Sequence, residues 1–307
     1  MPLPSFDELR QSAGARPEPA AVAVAGGDDP TVLEALAVAV KRRWLRPILV
    51  GPEAETRAMA HARGVPLDGM ILRHAPSTEM AALAVEEVRA GRAQALMKGQ
   101  IDTPALMKAV LDMNHGLRSG RVICQVVLME IPRDGRRFLM ADTGICVQPS
   151  LPKKVDIMRS TVAVAHALGL PRPRVALMAA TETVKPAMAE TLHADEITRR
   201  GERGEFPGCL VQGPLSFDLA YAAAAGERKR IGGSVVGAAD IMIFPNLLAA
   251  NLTVKAMMYT AACRFGGVLG GVSAPVVFMS RADTTVTRLN SLALTLALLD
   301  RSTTKLV

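Results

Sequence analysis

The chain has 307 residues, more than the ~100–200 of one typical domain, so two domains are expected. Half of the residues are apolar but only 3% are aromatic, so Ala, Val, Leu and Met must fill the core. The net charge of +7 is scattered, with its densest runs at Lys41-Arg42-Arg43 and Arg228-Lys229-Arg230; this disfavours a nucleic-acid partner and leaves a weak field that gathers small anions.

Short apolar runs alternate with longer amphipathic segments along the chain. Ala21–Ala25 reads as a strand, and Gly26-Gly27-Asp28-Asp29-Pro30 turns it into a helix over Thr31–Lys41, with Asp29 as N-cap and Pro30 at the first helical position. Pro47–Val50 is a second strand, closed by Gly51-Pro52. Gly69–Leu72 reads as a strand, Ser77–Ala90 as a helix, Ala95–Met97 as a strand and Pro104–Leu111 as a helix. Arg121–Ile131 and Arg137–Ala141 form a hairpin around Pro132-Arg133-Asp134-Gly135-Arg136. Lys154–Leu168 is a helix ended by Gly169, and Arg174–Met178 is a buried strand. Cys209–Gln212, Ile241–Phe244, Val268–Gly270 and Val276–Met279 complete the strands; Phe217–Ala225, Ala249–Tyr259 and Thr284–Leu299 complete the helices. Such alternation needs crossover connections, hence mostly parallel α/β sheets covered on both faces. The Pro-rich Gln148-Pro149-Ser150-Leu151-Pro152 is the candidate domain crossing.

Ligands in such folds sit beyond the carboxyl ends of strands. Four segments there share one layout, an apolar run followed by small or polar residues and a helix. They are Met97-Lys98-Gly99 leading through Asp102-Thr103, Gly213-Pro214-Leu215-Ser216-Phe217-Asp218, Pro245-Asn246 running on to Asn251 and Lys255, and Ser280-Arg281-Ala282-Asp283-Thr284. Each brings donors to a helix N-terminus, where unpaired backbone N–H groups favour anions. Singly, Ser280 reads as a cap, Asp218 and Asn246 as turn residues, and Lys98 and Lys255 as surface charges. Together they point to a phosphate-bearing ligand, with Arg281 able to grip phosphate in a bidentate way.

Other chemistries leave no pattern. Cys124, Cys146, Cys209 and Cys263 have neither metal-ligand nor redox-pair spacing and read as buried free thiols of a reducing compartment. His61, His74, His115, His166 and His193 lack zinc-type spacing, so no metal is expected. There is no nucleophile elbow and no Walker-type loop. Gly266-Gly267-Val268-Leu269-Gly270-Gly271 straddles a strand and reads as close packing. With no signal-peptide core and no apolar run near the ~20 residues that span a bilayer, a cytoplasmic protein with no membrane partner is expected.

In order, the motifs read Leu96-Met97-Lys98-Gly99, Thr103, Gly116-Leu117-Arg118, Ala141-Asp142-Thr143-Gly144, Gly213-Pro214-Leu215-Ser216-Phe217-Asp218, Gly237-Ala238-Ala239-Asp240, Pro245-Asn246, Asn251, Lys255 and Ser280-Arg281-Ala282-Asp283. Their joint order resembles the phosphate acetyltransferase and phosphate butyryltransferase family from about Val22 to Leu299, and the Ser-Arg-Ala-Asp form is closer to the butyryl-type branch. The resemblance implies two α/β domains facing across a cleft, as in isocitrate and isopropylmalate dehydrogenases. The first would comprise residues 1–147 and 268–307 and the second 148–267. It also implies a homodimer or higher homo-oligomer, acyl-CoA and inorganic phosphate as partners, coenzyme A as substrate, and no permanently bound cofactor. The implied reaction is acyl-CoA + phosphate = acyl phosphate + CoA with a short acyl group, acetyl or butyryl.

Carried over by motif, Ser280 and Arg281 sit at the acyl phosphate and thiol, Arg118 pairs with phosphate, and Lys98, Thr103, Asn246, Asn251 and Lys255 bind ligand. Acetyl-type members carry an Asp beyond Ser-Arg that is proposed to deprotonate CoA. Thr287 stands there in this chain, which leaves Asp283, or a water, as the base. Gln212-Gly213-Pro214-Leu215 and Leu248-Ala249-Ala250-Asn251 also depart from the family's Asp-Gly-Pro-Leu and Glu-Ala-Gly-Asn. Two alternatives follow: a non-catalytic acyl-CoA-binding protein that has lost its base, or an NAD- and metal-dependent dehydrogenase on the same fold. The second would need clustered carboxylates, and Asp142, Asp218 and Asp240 are far apart in sequence.

Overall fold

The computed structural model describes residues 2–280 and 282–300. They fall into two compact α/β units, one of residues 6–120 with 265–300 and one of residues 2–5 with 121–264.

The first unit opens with α1 (Phe6–Gly14), β1 (Ala20–Ala25), α2 (Pro30–Lys41), β2 (Leu45–Gly51), α3 (Glu53–Arg63), β3 (Ile71–His74), α4 (Met80–Arg89), β4 (Ala95–Lys98) and α5 (Thr103–Val110). All six residues of β1 are buried, as befits a central parallel strand covered on both faces. Asp29 caps α2 through Val32 N at 2.9 Å, and Pro30 opens the helix. Two helices had no counterpart in the sequence reading. In α1 only Phe6, Leu9 and Ala13 are buried, and they pack on the last helix of the chain. In α3 only Thr56 and Ala60 are buried, too few to mark an apolar face.

The second unit follows: β5 (Cys124–Ile131), β6 (Arg136–Ala141), α6 (Leu151–Ala167), β7 (Arg174–Met178), α7 (Ala189–Glu202), β8 (Leu210–Leu215), α8 (Phe217–Tyr221), α9 (Ala223–Lys229), β9 (Ile241–Ile243) and α10 (Leu247–Thr260). β5 and β6 form the expected antiparallel hairpin, with Ile131 opposite Arg136. The strand order is β5-β6-β9-β7-β8, and the β6·β9, β7·β9 and β7·β8 pairs are parallel. The helix anticipated over Phe217–Ala225 breaks into α8 and α9 because Ala222 is extended, with φ −122° and ψ 121°. The Pro-rich Gln148–Pro152 stretch leads into α6 inside this unit; the units divide at 120/121 and 264/265. α7 was also absent from the reading. Its sequence is mostly charged, and Thr191, Ala194 and Ile197 are its only buried residues.

The chain then returns through β10 (Arg264–Gly270), β11 (Val276–Val277) and α11 (Thr285–Asp300). The first unit's strand order is β3-β2-β1-β4-β11-β10, parallel except for β10·β11. From β1 the chain winds outward to β2 and β3 and then back past β1 to β4. With the right-handed crossovers that rule such units, this reversal makes β1 and β4 the switch point, and the crevice of such a sheet lies beyond their carboxyl ends. Gly26 (φ +85°) and Gly99 meet there. A Cβ on Gly99 would lie 1.8 Å from the Gly26 carbonyl oxygen, so only glycine lets the two strand ends pass. Of the four cysteines Cys124 is buried, while Cys146, Cys209 and Cys263 are half-buried rather than buried as anticipated. Among the described residues no helix is long and apolar enough to cross a membrane.

Candidate active site

In the first unit the expected residues gather on neighbouring parallel strands. Lys98 ends β4 and is buried, and Thr103 begins α5 five residues on, exposed. β11 runs beside β4 with Val277 opposite Met97, so the segment reaching Ser280 leaves the sheet in the same direction as Lys98. Arg118 is exposed on a strap held against residues 271–273. Its backbone bridges Val272, Ser119 Oγ donates to the Gly271 carbonyl at 2.7 Å, and Ser273 N–H donates to the Leu117 carbonyl.

Ser280 and Asp283 close a reciprocal turn. Ser280 N–H donates to Asp283 Oδ2 at 2.6 Å, Asp283 N–H to the Ser280 carbonyl at 3.2 Å, and Ala282 N–H to Ser280 Oγ at 3.3 Å. Ser280 is exposed and Asp283 is 6% exposed. Arg281, the expected phosphate-gripping cation, lies outside the described residues. Thr287, where the resemblance had led a carboxylate to be looked for, is buried, and its N–H donates to Thr284 Oγ1 at 3.2 Å in a helix-capping contact. Beneath the turn lies Arg288, 1% exposed. Its Nε donates to Thr31 Oγ1 at 2.8 Å, and one terminal nitrogen reaches the Ser280 carbonyl at 3.5 Å and Asp29 at 3.8 Å. Burial lowers the Arg288 pKa, against the charges of Asp29 and Asp283. An open pocket of about 290 Å³ flanks the crevice, with Asp28, Ser77, Gln100 and Asp102 as its polar lining.

In the second unit Asn246 caps α10, accepting Ala249 N–H at 2.9 Å. Asn251 Nδ2 donates to the Thr143 carbonyl at 3.1 Å and ties α10 to the loop after β6, while Lys255 is exposed one turn on. That loop is wound around Asp142, whose carboxylate accepts four backbone N–H groups, from Gln125, Gly144, Ile145 and Cys146. Asn246 and Asn251 thus hold backbone, and Lys255 is the cation α10 presents to solvent. The carboxylates a metal would need are engaged elsewhere. Asp240 takes Arg174 in a two-point pair at 2.8 and 2.9 Å, and Asp218 takes Lys229 at 2.9 Å. Lys229 and Ser216 hold the Asp218 pKa down, Ser216 the more strongly. Among the described residues no cluster of three His, Cys, Asp or Glu could hold a metal ion.

One pair escaped the sequence reading. Lys154, in the first turn of α6, is 5% exposed, and its Nζ lies 3.1 Å from His193 Nδ1 on α7. It lines a small pocket of about 10 Å³, roughly one water, beyond the carboxyl ends of β7 and β9, with Met178, Glu190, Phe244 and Pro245. The signal was there in the helical period. Lys154 shares the buried face with Ile157, Met158, Thr161 and Ala165, whereas Lys153 is exposed.

Hydroxyl, cationic and amide side chains at the carboxyl ends of parallel strands define an α/β protein built to bind anionic substrates in the crevices beyond its sheets. A family profile described as phosphate acetyl/butaryl transferase matches residues 68–296. The phosphate butyryltransferase of Clostridium acetobutylicum is 37% identical over 293 residues, 95% of this chain and 97% of that protein. The phosphate acetyltransferase of Thermotoga maritima is 37% identical over 89% of this chain and 93% of its own length. A branched-chain phosphotransacylase from Enterococcus faecalis superposes with a TM-score of 0.81 at 29% identity, over 91% of this chain and 99% of that one. The chain belongs to the phosphate acetyl/butyryl transferase family.

Proposed function

We propose that this protein catalyses acyl-CoA + phosphate = acyl phosphate + CoA, with a short acyl group, acetyl or butyryl, coenzyme A as substrate and no permanently bound cofactor. The observation that carries the reading is the family match, which spans both compact units and includes the Ser280–Asp283 turn. Relatives named for both butyryl and acetyl transfer are equally similar to this chain, so the choice of acyl group rests on the pocket. One methylene changes binding by only ~1–3 kcal/mol.

The physical problem is to press two anions together. A thiolate must attack, or leave, a carbonyl that also carries phosphate, so the site must hold both partners in line, neutralise the phosphate and polarise the carbonyl. In our reading the two compact units are the two α/β domains that the resemblance implies. Arg281 and Arg118 neutralise the phosphate, Ser280 Oγ donates to the carbonyl oxygen or orients the thiol, and Lys98, Thr103, Asn246, Asn251 and Lys255 line the substrate path. Asp283 is the carboxylate of the Ser280 turn, and one of its oxygens already receives the Ser280 N–H. That bond favours a turn-forming role over proton transfer.

We further place the protein in the cytoplasm as a homodimer or higher homo-oligomer. α10 buries only Ala250 and Val254, and exposes Leu248, Leu252 and Tyr259. Such a stripe on a helix calls for a partner surface.

The deciding assay presents acetyl-, butyryl- and longer acyl-CoAs with phosphate or arsenate and follows free thiol. Thiol release that requires the acceptor is expected. Tight CoA binding without release would support the non-catalytic alternative, and NADH formation from a hydroxy acid would support the dehydrogenase.

A further inference from the structure

The Ser280 hydroxyl can serve a reacting carbonyl or thiol only if the turn that carries it keeps its place against the crevice. We propose that Arg288 is the positioning residue for Ser280: it locks the Ser280–Asp283 turn to the N-terminus of α2 and so fixes where the hydroxyl stands. The inference rests on the acyltransferase reading above and deepens it. Every group it needs lies in the first unit.

The placement follows from the helix. Arg288 stands in the first turn of α11, and its N–H donates to the Thr284 carbonyl at 3.0 Å. Side chains on a helix lean toward its N-terminus, so the guanidinium comes to lie under the preceding turn. One arm reaches α2. Nε donates to Thr31 Oγ1 at 2.8 Å, and that hydroxyl donates in turn to Asp29 Oδ1 at 2.6 Å. Asp29 is itself held by the Val32 N–H at 2.9 Å, on a helix whose Val32, Leu33, Ala35, Leu36 and Ala39 are all buried. The other arm, a terminal nitrogen, reaches the Ser280 carbonyl at 3.5 Å. Thr285 Oγ1 adds a second tie from α11 to α2, donating to Glu34 Oε2 at 2.7 Å.

These contacts hold the backbone of Ser280 and leave its hydroxyl available. The Ser280 N–H goes to Asp283 Oδ2, and its carbonyl receives the Asp283 N–H and Arg288. Oγ accepts the Ala282 N–H at 3.3 Å, and among the described residues no acceptor takes its proton, so the exposed hydroxyl keeps a donor for a ligand. A cation that is 1% exposed is costly to bury, and Thr31, Asp29 and the Ser280 carbonyl offset that cost only while they stay together around it. The guanidinium therefore resists any drift of the turn away from α2. Its planar fork serves both directions at once, which the single ammonium of lysine does not.

The test measures kcat, the KM for acyl-CoA and far-UV circular dichroism for wild type, Arg288→Met, Arg288→Lys, Thr31→Val and Ser280→Ala, and for Arg288→Met and Thr31→Val each combined with Ser280→Ala. Arg288→Met should lose kcat roughly 10–100-fold, the cost of a misplacement of about 1 Å, with KM within about threefold of wild type. Arg288→Lys should fall between the two, and Thr31→Val, which removes the acceptor of Nε, should lose kcat as well. In the Ser280→Ala background there is no hydroxyl left to place, so Arg288→Met should cost less than about threefold more. A larger further loss there overturns the proposal, because a residue that only holds the fold costs the same in both backgrounds. A folded Arg288→Met that keeps more than about a tenth of wild-type kcat, or a Ser280→Ala at full kcat, overturns it too. Should Arg288→Met fail to fold, Thr31→Val decides: a kcat loss that vanishes in the Ser280→Ala background supports the proposal, and any other pattern refutes it. Absence of thiol release by the wild-type protein itself would sink the acyltransferase reading instead.

Discussion

Arg288 shows what one buried cation can hold in place. Its donors reach Thr31 at the start of α2 and the carbonyl of Ser280, and its charge faces Asp29, which caps the same helix. Replacing it with Met removes the donors that reach Thr31 and the Ser280 carbonyl and the charge that faces Asp29, so we expect a loss of about 1–3 kcal/mol in urea unfolding and a fall in kcat as the Ser280 turn loosens. Lys at 288 should recover part of both. Arg281→Ala should reduce turnover at least ~100-fold, the range for loss of one transition-state donor. Asp283→Asn keeps an oxygen to receive the Ser280 N–H, so we expect less than ~10-fold; a larger loss would restore Asp283 as base. The sequence made Ser280 and Asp283 legible through their motif, because a cap and its partner lie three residues apart. It could not show Arg288 as their support, because that depends on α11 lying beside α2.

At the level of elements, the strands and the helices with apolar stripes were readable, since their periods are written locally. The charged α7 and the polar α3 were not, because tertiary packing rather than an apolar face holds them. Two expectations belong to this scale. Leu248→Asp with Leu252→Asp should shift the mass in sedimentation to that of one chain while leaving far-UV circular dichroism unchanged; an unchanged mass would place any interface elsewhere. On α6, the lowered Lys154 pKa means the folded state holds fewer protons there than the unfolded chain. That penalty is absent above the ordinary lysine pKa and grows as pH falls through the window toward the folded value. Lys154→Met should therefore raise Tm at pH 7, and the gain should shrink at pH 10. A Tm that falls at pH 7 would show that the contacts of the Lys154 side chain outweigh the cost of its buried charge.

For the molecule as a whole, charge and composition bear on encounter rather than on fold. A net charge of +7 facing two anionic substrates predicts that kcat/KM falls as ionic strength rises from 0.01 to 0.15 M, where the Debye length shrinks from ~30 to ~8 Å. An equal kcat/KM at both salts would confine the attraction to groups in contact with substrate. The sequence by itself determined the α/β class, the parallel strands, the hairpin at residues 132–136 and the family. Each depends on residues close in the chain or on the order of motifs. Only the tertiary structure decided that the units divide after Gly120 rather than at the Pro-rich stretch, that Arg288 lies under Ser280, and that Lys154 meets His193 while Lys153 faces water. Those outcomes depend on which distant elements share a neighbour, and a buried charge has its meaning from what surrounds it, not from what precedes it in the chain.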